Sequence, residues 1–462
     1  MYMEVYFMEQ FDILVIGAGP GGYSLAIAAA KKGLKVAIFE KEHVGGTCLN
    51  VGCIPTKYFV DKAGTLEKMR TLAGRDILAD VPGFDFEKIV AGKDEVVSKL
   101  TGGVSFLLKK TGCEVVEGEA FLRSDRIVEC AGRVFQGKNV VIATGAETLV
   151  IPIRGHELCI DSSKALGLQK LPKSMVVMGG GVIGLELACA FASFGTKITI
   201  VEMLPEIMGR EEKAAVRMVT RSMEALGIII KTGAKMLRVE KEGELLHAIY
   251  ERDGKEESVA CEQVLMAVGR KAVLPGIDAE ALGLELDAKR CVKVDDHQRT
   301  NLPGVYAIGD AAGGLQLAHA AYAEAETALA DILGEEHHAG MPVPVCTYTI
   351  PCFARVGMTL KEARAAGYSP ALGTFDYSAN GMALAEGEGG CVFVIADKTT
   401  TKTLGVTIVG ANAAELIALG AKAVADGLTT KEWENMIIAH PSLMEALREA
   451  ALDCFRKSVH KG

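Results

Sequence analysis

The sequence predicts an α/β chain, with two Rossmann-like dinucleotide-binding domains followed by a C-terminal α+β domain. Three observations carry this expectation. A succession of strand, glycine loop, helix, strand and acid occurs twice, ending once at Glu40 and again at Glu202. A cysteine pair set among glycines, Gly45-Gly46-Thr47-Cys48-Leu49-Asn50-Val51-Gly52-Cys53-Ile54-Pro55-Thr56-Lys57, directly follows the first of these. From about Met341 the composition changes: Pro342, Pro344 and Pro351 mark a linker, and no third glycine loop appears beyond it. With 462 residues the chain has room for three or four domains with cores of their own.

Composition bounds the function. The chain is 49% hydrophobic and 24% charged, with a net charge of -9, which describes a globular chain with an ordinary surface. No basic stripe interleaved with aromatics occurs, so nucleic acid is not an expected partner. No apolar run approaches the ~20 residues of a spanning helix, so no membrane segment is expected. The opening Met1-Tyr2-Met3-Glu4-Val5-Tyr6-Phe7-Met8-Glu9 carries acids and no arginine, unlike a secretory signal or transit peptide. The first strand begins near Phe11, so Met8 is a candidate start beside Met1. Of 12 cysteines, ten are scattered and form no CxxC pair. That is cysteine used as a small core residue in a reducing compartment, here the cytoplasm, and no metal site is expected.

Residues 11–16 read as a buried parallel strand leading into Gly17-Ala18-Gly19-Pro20-Gly21-Gly22. An alanine-rich helix follows to about residue 32, then a strand at 35–39 ended by Glu40. The glycines permit a tight turn, close approach of a pyrophosphate and close helix packing, and the terminal acid suits a ribose diol. The unit recurs as a strand at 175–178, Gly179-Gly180-Gly181-Val182-Ile183-Gly184, a helix to about 194, a strand at 197–201 and Glu202. Gly17 to Glu40 and Gly179 to Glu202 span the same 23 residues. One chain thus carries two dinucleotide sites. At the second, a 2′-phosphate would meet the Glu202 carboxylate with no arginine close behind it, which favours NAD over NADP. A flavin at the first would be within reach of the cysteines.

Further along, 85–110 reads as an amphipathic helix and 114–129 as strands with turns. Residues 139–142 are a late strand of the first unit, closed by Ala143-Thr144-Gly145, and 263–267 with Val268-Gly269-Arg270 are the matching end of the second. Residues 305–310 read as a strand ending in Asp310, a second anchor for a flavin's polyol chain. Gln316-Leu317-Ala318-His319 opens a helix whose positive N-terminus suits an electron-rich pyrimidine edge. Strands at 391–396 and 404–409 and a helix at 413–426 make up the α+β domain.

Cys48 and Cys53 lie five positions apart. On an unbroken helix that is a rise of about 7.5 Å, beyond the ~7 Å Cα limit for an unstrained bridge. The segment is therefore expected to begin helical and bend, with Gly52 loosening it and Pro55 removing an N–H that would bond back to Val51. A cysteine early in such a helix is favoured as a thiolate. A redox-active disulfide beside a cofactor is the reading that uses all of these features. Near the other end, Ala439-His440-Pro441-Ser442-Leu443-Met444-Glu445 precedes an amphipathic helix. Pro441 suits the first helical position, with His440 extended before it. Glu445 would then fix one ring nitrogen and leave the other as a base near neutral pH.

Together the Cys48 to Lys57 motif, the two glycine loops, Ile308-Gly309-Asp310 and His440-Pro441 with Glu445 resemble the pyridine nucleotide–disulfide oxidoreductases, from about Met8 to Leu452 and in the family's order. Within that family the chain is most similar to the branch that oxidises dihydrolipoyl groups. The resemblance implies an FAD domain (8–148), an NAD domain (149–270), a central domain (271–340) and a C-terminal dimerisation domain (341–462). It implies FAD at Gly17, Gly19, Gly22, Glu40, Lys57, Ala120, Thr144, Gly145, Asp310 and Ala318, and NAD at Gly179, Gly181, Gly184, Glu202 and Gly269. By the same resemblance Cys48 exchanges with substrate, Cys53 lies against the flavin, and Lys57 is paired with Glu186. His440 and Glu445 would serve the disulfide of the other subunit of a homodimer. The expected partners are a lipoylated acyltransferase subunit of a 2-oxoacid dehydrogenase complex or a lipoylated H protein. The alternatives are a related NADH-dependent reductase of another disulfide, or an assembly subunit of an acyltransferase complex with secondary activity. Ile438 replaces a histidine frequent in that branch, Thr56 a serine, Cys352 an acid and Met382 an arginine.

Overall fold

The computed structural model describes residues 8–336 and 340–461, and of Asp125 only the backbone. Residues 1–7, on which the choice between Met1 and Met8 turns, lie outside the described residues. The chain forms two compact units. The first comprises the chain up to Tyr58, Glu87–Leu149 and Gly269–Gly340; the second comprises Phe59–Phe86, Val150–Val268 and the chain from Met341.

In the first unit β1 (Glu9–Ile16) is central because its apolar run is buried on both faces. Ile13 and Val15 pack with Leu25, Ala26 and Ala29 of helix α1 (Pro20–Lys31). Leu14 and Ile16 pack the other way, with Phe39, Phe135 and Val140. β1 pairs in parallel with β2 (Val36–Glu40), in register Ile13 to Val36, and with Arg133–Ile142 on its other side. Glu114–Glu117 extends the sheet beyond β2, and Val305–Ala307 runs parallel to Arg133–Ile142. The short strands Phe121–Leu122 and Ile127–Cys130 pair antiparallel at the far edge.

The second unit holds a four-stranded parallel sheet in the order Ile229–Lys231, Lys197–Val201, Ser174–Met178, Gln263–Met266, with helix Val182–Phe194 after the glycine loop. It also holds a three-stranded antiparallel sheet and, in its C-terminal part, a five-stranded antiparallel sheet. Against the latter pack helices Ala413–Asp426 and Met444–Asp453, around Phe375, Tyr377, Val394 and Ile408. Trp433, the chain's single tryptophan, is 1% exposed there and donates Nε1–H to Thr403 Oγ1 at 3.0 Å. The segment 59–86 joins this unit through an aromatic cluster in which Phe59 meets Phe86, Phe191 and Phe194 edge-on.

Two expected elements are corrected. The strand at 305–310 stops at Ala307, because Gly309 takes a φ of +67° and Gly309–Ala312 coils into a 3₁₀ turn that carries Asp310. Pro441 does not occupy the first position of the closing helix, which begins at Met444. Ser442 donates its hydroxyl back to the Ala439 carbonyl at 2.7 Å, so the chain turns before it coils, and the His440–Pro441 peptide is cis.

Phe135 is fully buried between Phe39, at a centroid distance of 5.0 Å, and Phe11, at 5.9 Å. Phe135→Ala is expected to destabilise the first unit by about 3–5 kcal/mol, checked by urea unfolding followed by circular dichroism.

Candidate active site

The two glycine loops have the same geometry. Gly17 has a φ of +105°, and a Cβ there would stand 2.3 Å from the Ala143 carbonyl; Gly179 has a φ of +108°, with 2.4 Å to the Ala267 carbonyl. A Cβ on the third glycine, Gly22 or Gly184, would strike the carbonyl of the first at 1.9 or 2.4 Å. The middle glycines, Gly19 and Gly181, face open space. Each lies at the start of a helix whose N-terminus has no side-chain cap. Uncapped N–H groups facing space are what a pyrophosphate requires. Glu40 accepts the N–H of Ala18 at 2.8 Å and of Glu42 at 2.9 Å, and Glu202 accepts those of Gly180 at 2.5 Å and Leu204 at 2.6 Å. Each carboxylate oxygen keeps a lone pair for a ribose hydroxyl. The residues present therefore fit two dinucleotides.

The remaining residues expected at FAD fall in the same unit as the first loop. Thr144 donates its hydroxyl to the Val273 carbonyl at 2.6 Å, and the Gly145 carbonyl accepts the Val273 N–H at 3.1 Å. A Cβ on Gly276 would stand 2.0 Å from the Ala120 carbonyl, and Ala318 opens helix Ala318–Leu333. Burial pushes the Asp310 carboxyl up, opposed by the Arg270 guanidinium 3.7 Å away. Gly269, expected at NAD, has a φ of +124° and accepts the Leu149 N–H at 3.0 Å; it begins the return segment of the first unit.

The bend between the cysteines is present. Helix α2 (Gly46–Asn50) carries Cys48, and helix α3 (Cys53–Ala73) begins at Cys53. A Cβ on Gly52 would lie 2.8 Å from the Thr47 carbonyl, which also accepts the Val51 N–H at 2.9 Å. Gly52 O in turn accepts the Thr56 N–H at 3.1 Å and its hydroxyl at 2.7 Å. The expectation of a thiolate is reversed for Cys48. Its hydrogen bond with Cys53, then burial and the charge of Cys53, push the Cys48 thiol up, while Lys57 pulls it down. Helix α2 has only five residues, too short for its dipole to outweigh these effects.

Four interacting residues of the first unit were not singled out from the sequence. Arg270 donates to the Ala146 carbonyl and reaches Thr47 Oγ1 at 3.4 Å. Glu324 accepts the Gly309 N–H at 2.6 Å, and burial raises its pKa to about 7. Tyr23 and Tyr322 join hydroxyls at 2.5 Å, with rings edge-on at 6.1 Å. Burial is the first reason both phenols are pushed up, and charge on Cys48 and Cys53 adds to it. The available signals were an aromatic just behind the first glycine loop and an acid within an alanine-rich helix.

In the second unit Glu186 is 3% exposed and accepts the Tyr348 N–H at 2.9 Å. Lys57 belongs to the first unit and Glu186 to the second. His440 Nδ1 lies 2.9 Å from Glu445 Oε1, and Glu445 Oε2 accepts the Ser442 N–H at 2.9 Å. Burial pushes the Glu445 carboxyl up, but the Ser442 N–H, the His440 hydrogen bond and the charges of His440 and His460 outweigh it and hold it below the usual range. The His440 ring is 78% exposed, with Nε2 left for chemistry. Among the described residues no group of three or more His, Cys, Asp or Glu could hold a metal ion, and no helix is long and apolar enough to cross a membrane.

Comparison with known proteins gives a consistent assignment. Residues 11–325 match the pyridine nucleotide-disulphide oxidoreductase family, and residues 343–451 its dimerisation domain. A dihydrolipoyl dehydrogenase of Thermus scotoductus is 38% identical over 460 residues, covering 98% of this chain and 99% of the relative. One from Bacillus subtilis is 36% identical over 462 residues, covering 97% and 99%. Among solved structures, the HOCl-induced flavoprotein disulfide reductase RclA of Escherichia coli has a TM-score of 0.86 at 27% identity, over 96% of this chain and 99% of that one. LpdA of Mycobacterium tuberculosis, at 24% identity, shares the fold with a TM-score of 0.88, over 96% and 99%.

Glu324 supplies a test of the first unit's electrostatics. Its folded pKa lies above the ordinary value of 4.5, at about 7. The folded protein therefore binds the proton more tightly than the unfolded chain, and stability falls as pH rises from 4.5 through about 7. In the flavin-free protein, Glu324→Gln is expected to flatten that decline, checked by melting temperatures across this range.

Proposed function

Because the chain belongs to the pyridine nucleotide-disulphide oxidoreductase family, we propose that this FAD-dependent oxidoreductase is a dihydrolipoyl dehydrogenase. It oxidises protein-bound dihydrolipoyl groups through the Cys48–Cys53 couple and reduces NAD+. The observation that carries the reading is the dithiol itself. Cys48 and Cys53 are close enough to share a hydrogen bond and to feel the Lys57 ammonium, in the same unit as a glycine loop fitted to a dinucleotide. Relatives named dihydrolipoyl dehydrogenase, at 36% and 38% identity over nearly the whole chain, support the substrate.

FAD held by the first loop with Glu40 and Asp310 supplies a two-electron acceptor, and NAD+ held by the second loop with Glu202 a hydride acceptor. The chain handles the thiols and protons. Glu445 fixes His440 Nδ1, so Nε2 takes the proton of the first substrate thiol. The substrate thiolate attacks the Cys48 sulfur of the bridge, the Cys48–Cys53 bond breaks, and Cys53 leaves as a thiolate. The second substrate sulfur then closes the lipoyl ring and expels Cys48, which takes up a proton. The upward push on the Cys48 thiol favours that protonated product. In a homodimer formed through the dimerisation domain, each His440–Glu445 dyad serves the dithiol of the other subunit. The partners are a lipoylated acyltransferase subunit or a lipoylated H protein, and a reducing cytoplasm suits a chain whose other cysteines are scattered through its sequence. A second reading, reduction of another disulfide, is favoured by the likeness to RclA.

Dihydrolipoamide is expected to reduce NAD+ rapidly with the purified flavoprotein, and NADP+ poorly. Cys48→Ser should abolish this while flavin stays bound. His440→Gln should slow it about 10²- to 10⁴-fold, yet leave reduction of the flavin by NADH intact. NADH-dependent dye reduction with no lipoamide turnover in the unaltered enzyme would move the substrate to another disulfide.

A further inference from the structure

The loop that follows Glu202 folds back on the second glycine loop. Glu202 takes the Gly180 N–H at 2.5 Å and the Leu204 N–H at 2.6 Å. Farther along, the Met208 N–H donates to the Gly180 carbonyl at 3.2 Å. Ile207, 1% exposed, closes over the same residue, since a Cβ on Gly180 would meet its Cγ2 at 2.7 Å. Both polar groups of Gly180 are thus held by this one stretch of chain. Met208 has a φ of +51°, a conformation that a residue with a side chain keeps only where its surroundings hold it. The far end of the loop supplies the hold. The Glu211 N–H bonds back to the Met208 carbonyl at 2.9 Å, and the Glu211 carboxylate accepts Arg355 Nε–H at 2.5 Å.

Arg355 comes from strand Phe353–Gly357 of the five-stranded sheet, and it is fixed on its own side as well. Its Nη1 donates to the Gly357 carbonyl at 2.6 Å and lies 3.8 Å from Glu362. Glu362 is itself occupied by the Thr359 N–H at 2.7 Å and the Thr359 hydroxyl at 2.9 Å. Beside Glu211, Glu212 accepts the Leu360 N–H at 3.3 Å. The Arg355 and Glu211 side chains are 16% and 13% exposed. A charge-assisted hydrogen bond keeps its strength in such a place, and either partner left alone would be a poorly solvated charge. All of these residues belong to the second unit.

We infer that Arg355 is a positioning residue for NAD. Its ion pair with Glu211 pins the 203–211 loop against Gly180, and so holds the glycine loop and Glu202 in the shape that the nucleotide meets. Arg355 acts through Glu211, Met208 and Gly180 rather than by touching the nucleotide. This rests on the reading that the second glycine loop binds NAD. Without the pair, the loop populates forms in which Gly180 and Glu202 are out of place, and the apparent affinity falls with the fraction still closed. That loss is shared by the ground and transition states, so it enters KM for the nucleotide and leaves kcat alone.

The test is a double-mutant cycle on the full-length, flavin-loaded enzyme, read as KM for NADH and kcat in NADH-driven dye reduction. That assay needs no lipoyl substrate, so the choice of disulfide does not enter it. Arg355→Met and Glu211→Leu should each raise KM about tenfold, with kcat within about twofold of the unaltered enzyme. The double variant should be no worse than either single one. Arg355→Lys, which keeps the charge but loses the planar fork, should fall between. An unchanged KM in both single variants would overturn the inference, and so would KM effects that multiply in the double variant. A parallel loss of kcat and bound flavin would also overturn it, because it would mark a general loosening of the fold. Gly181→Leu fills the open space at the same loop: if NADH use survives that change, the placement of NAD there fails first.

Discussion

The Thr47 carbonyl lies 2.8 Å from where a side chain at residue 52 would begin. That approach lets a five-residue helix end and a 21-residue helix begin with only Val51 and Gly52 between them. An unbroken helix would hold the two sulfurs too far apart to share a bond. A flexible loop would bring them together only part of the time and at an entropic cost. The break does neither: the Thr47 and Gly52 carbonyls keep their donors across the bend. The rest of the centre builds on this, because Lys57 acts on Cys48 only from the start of the second helix.

The two nucleotide units repeat one solution to one steric problem. In each, a strand end passes so close to the first glycine that only hydrogen fits, at Ala143 and at Ala267. In each, the acid at the end of the next strand returns to the loop and takes one of its N–H groups. The units differ in what surrounds them. The first gains two half-buried acids, Asp310 and Glu324, both pushed up by loss of solvent. The second sits beside two antiparallel sheets that carry no glycine loop.

Most of this architecture is legible because it rests on local rules. The two-sided burial of β1, the twin loops and the helical bend at Gly52 follow from glycine placement and apolar runs, which a sequence displays directly. What could not be read depends on chain segments far apart in sequence. The Tyr23–Tyr322 pair joins residues 299 positions apart, and Arg270 meets Thr47 across 223. The state of Cys48 was misjudged for a related reason: a dipole rule is local, whereas burial and a neighbouring thiol are properties of the folded site. The closing helix was placed too early because proline's preference for a first turn was outweighed by a side-chain turn from Ser442 back to Ala439.

Glu40 and Glu202 each hold one backbone N–H of the glycine loop and one from the residue two positions beyond the acid, using only atoms of the chain. Loop shape is therefore set before any nucleotide arrives. Loading becomes the docking of a ligand into a rigid mould rather than folding coupled to binding, and little of the binding energy is diverted into ordering the backbone. Such a scaffold keeps its form when it is emptied, so a stripped protein should be refillable without passing through an unfolded state.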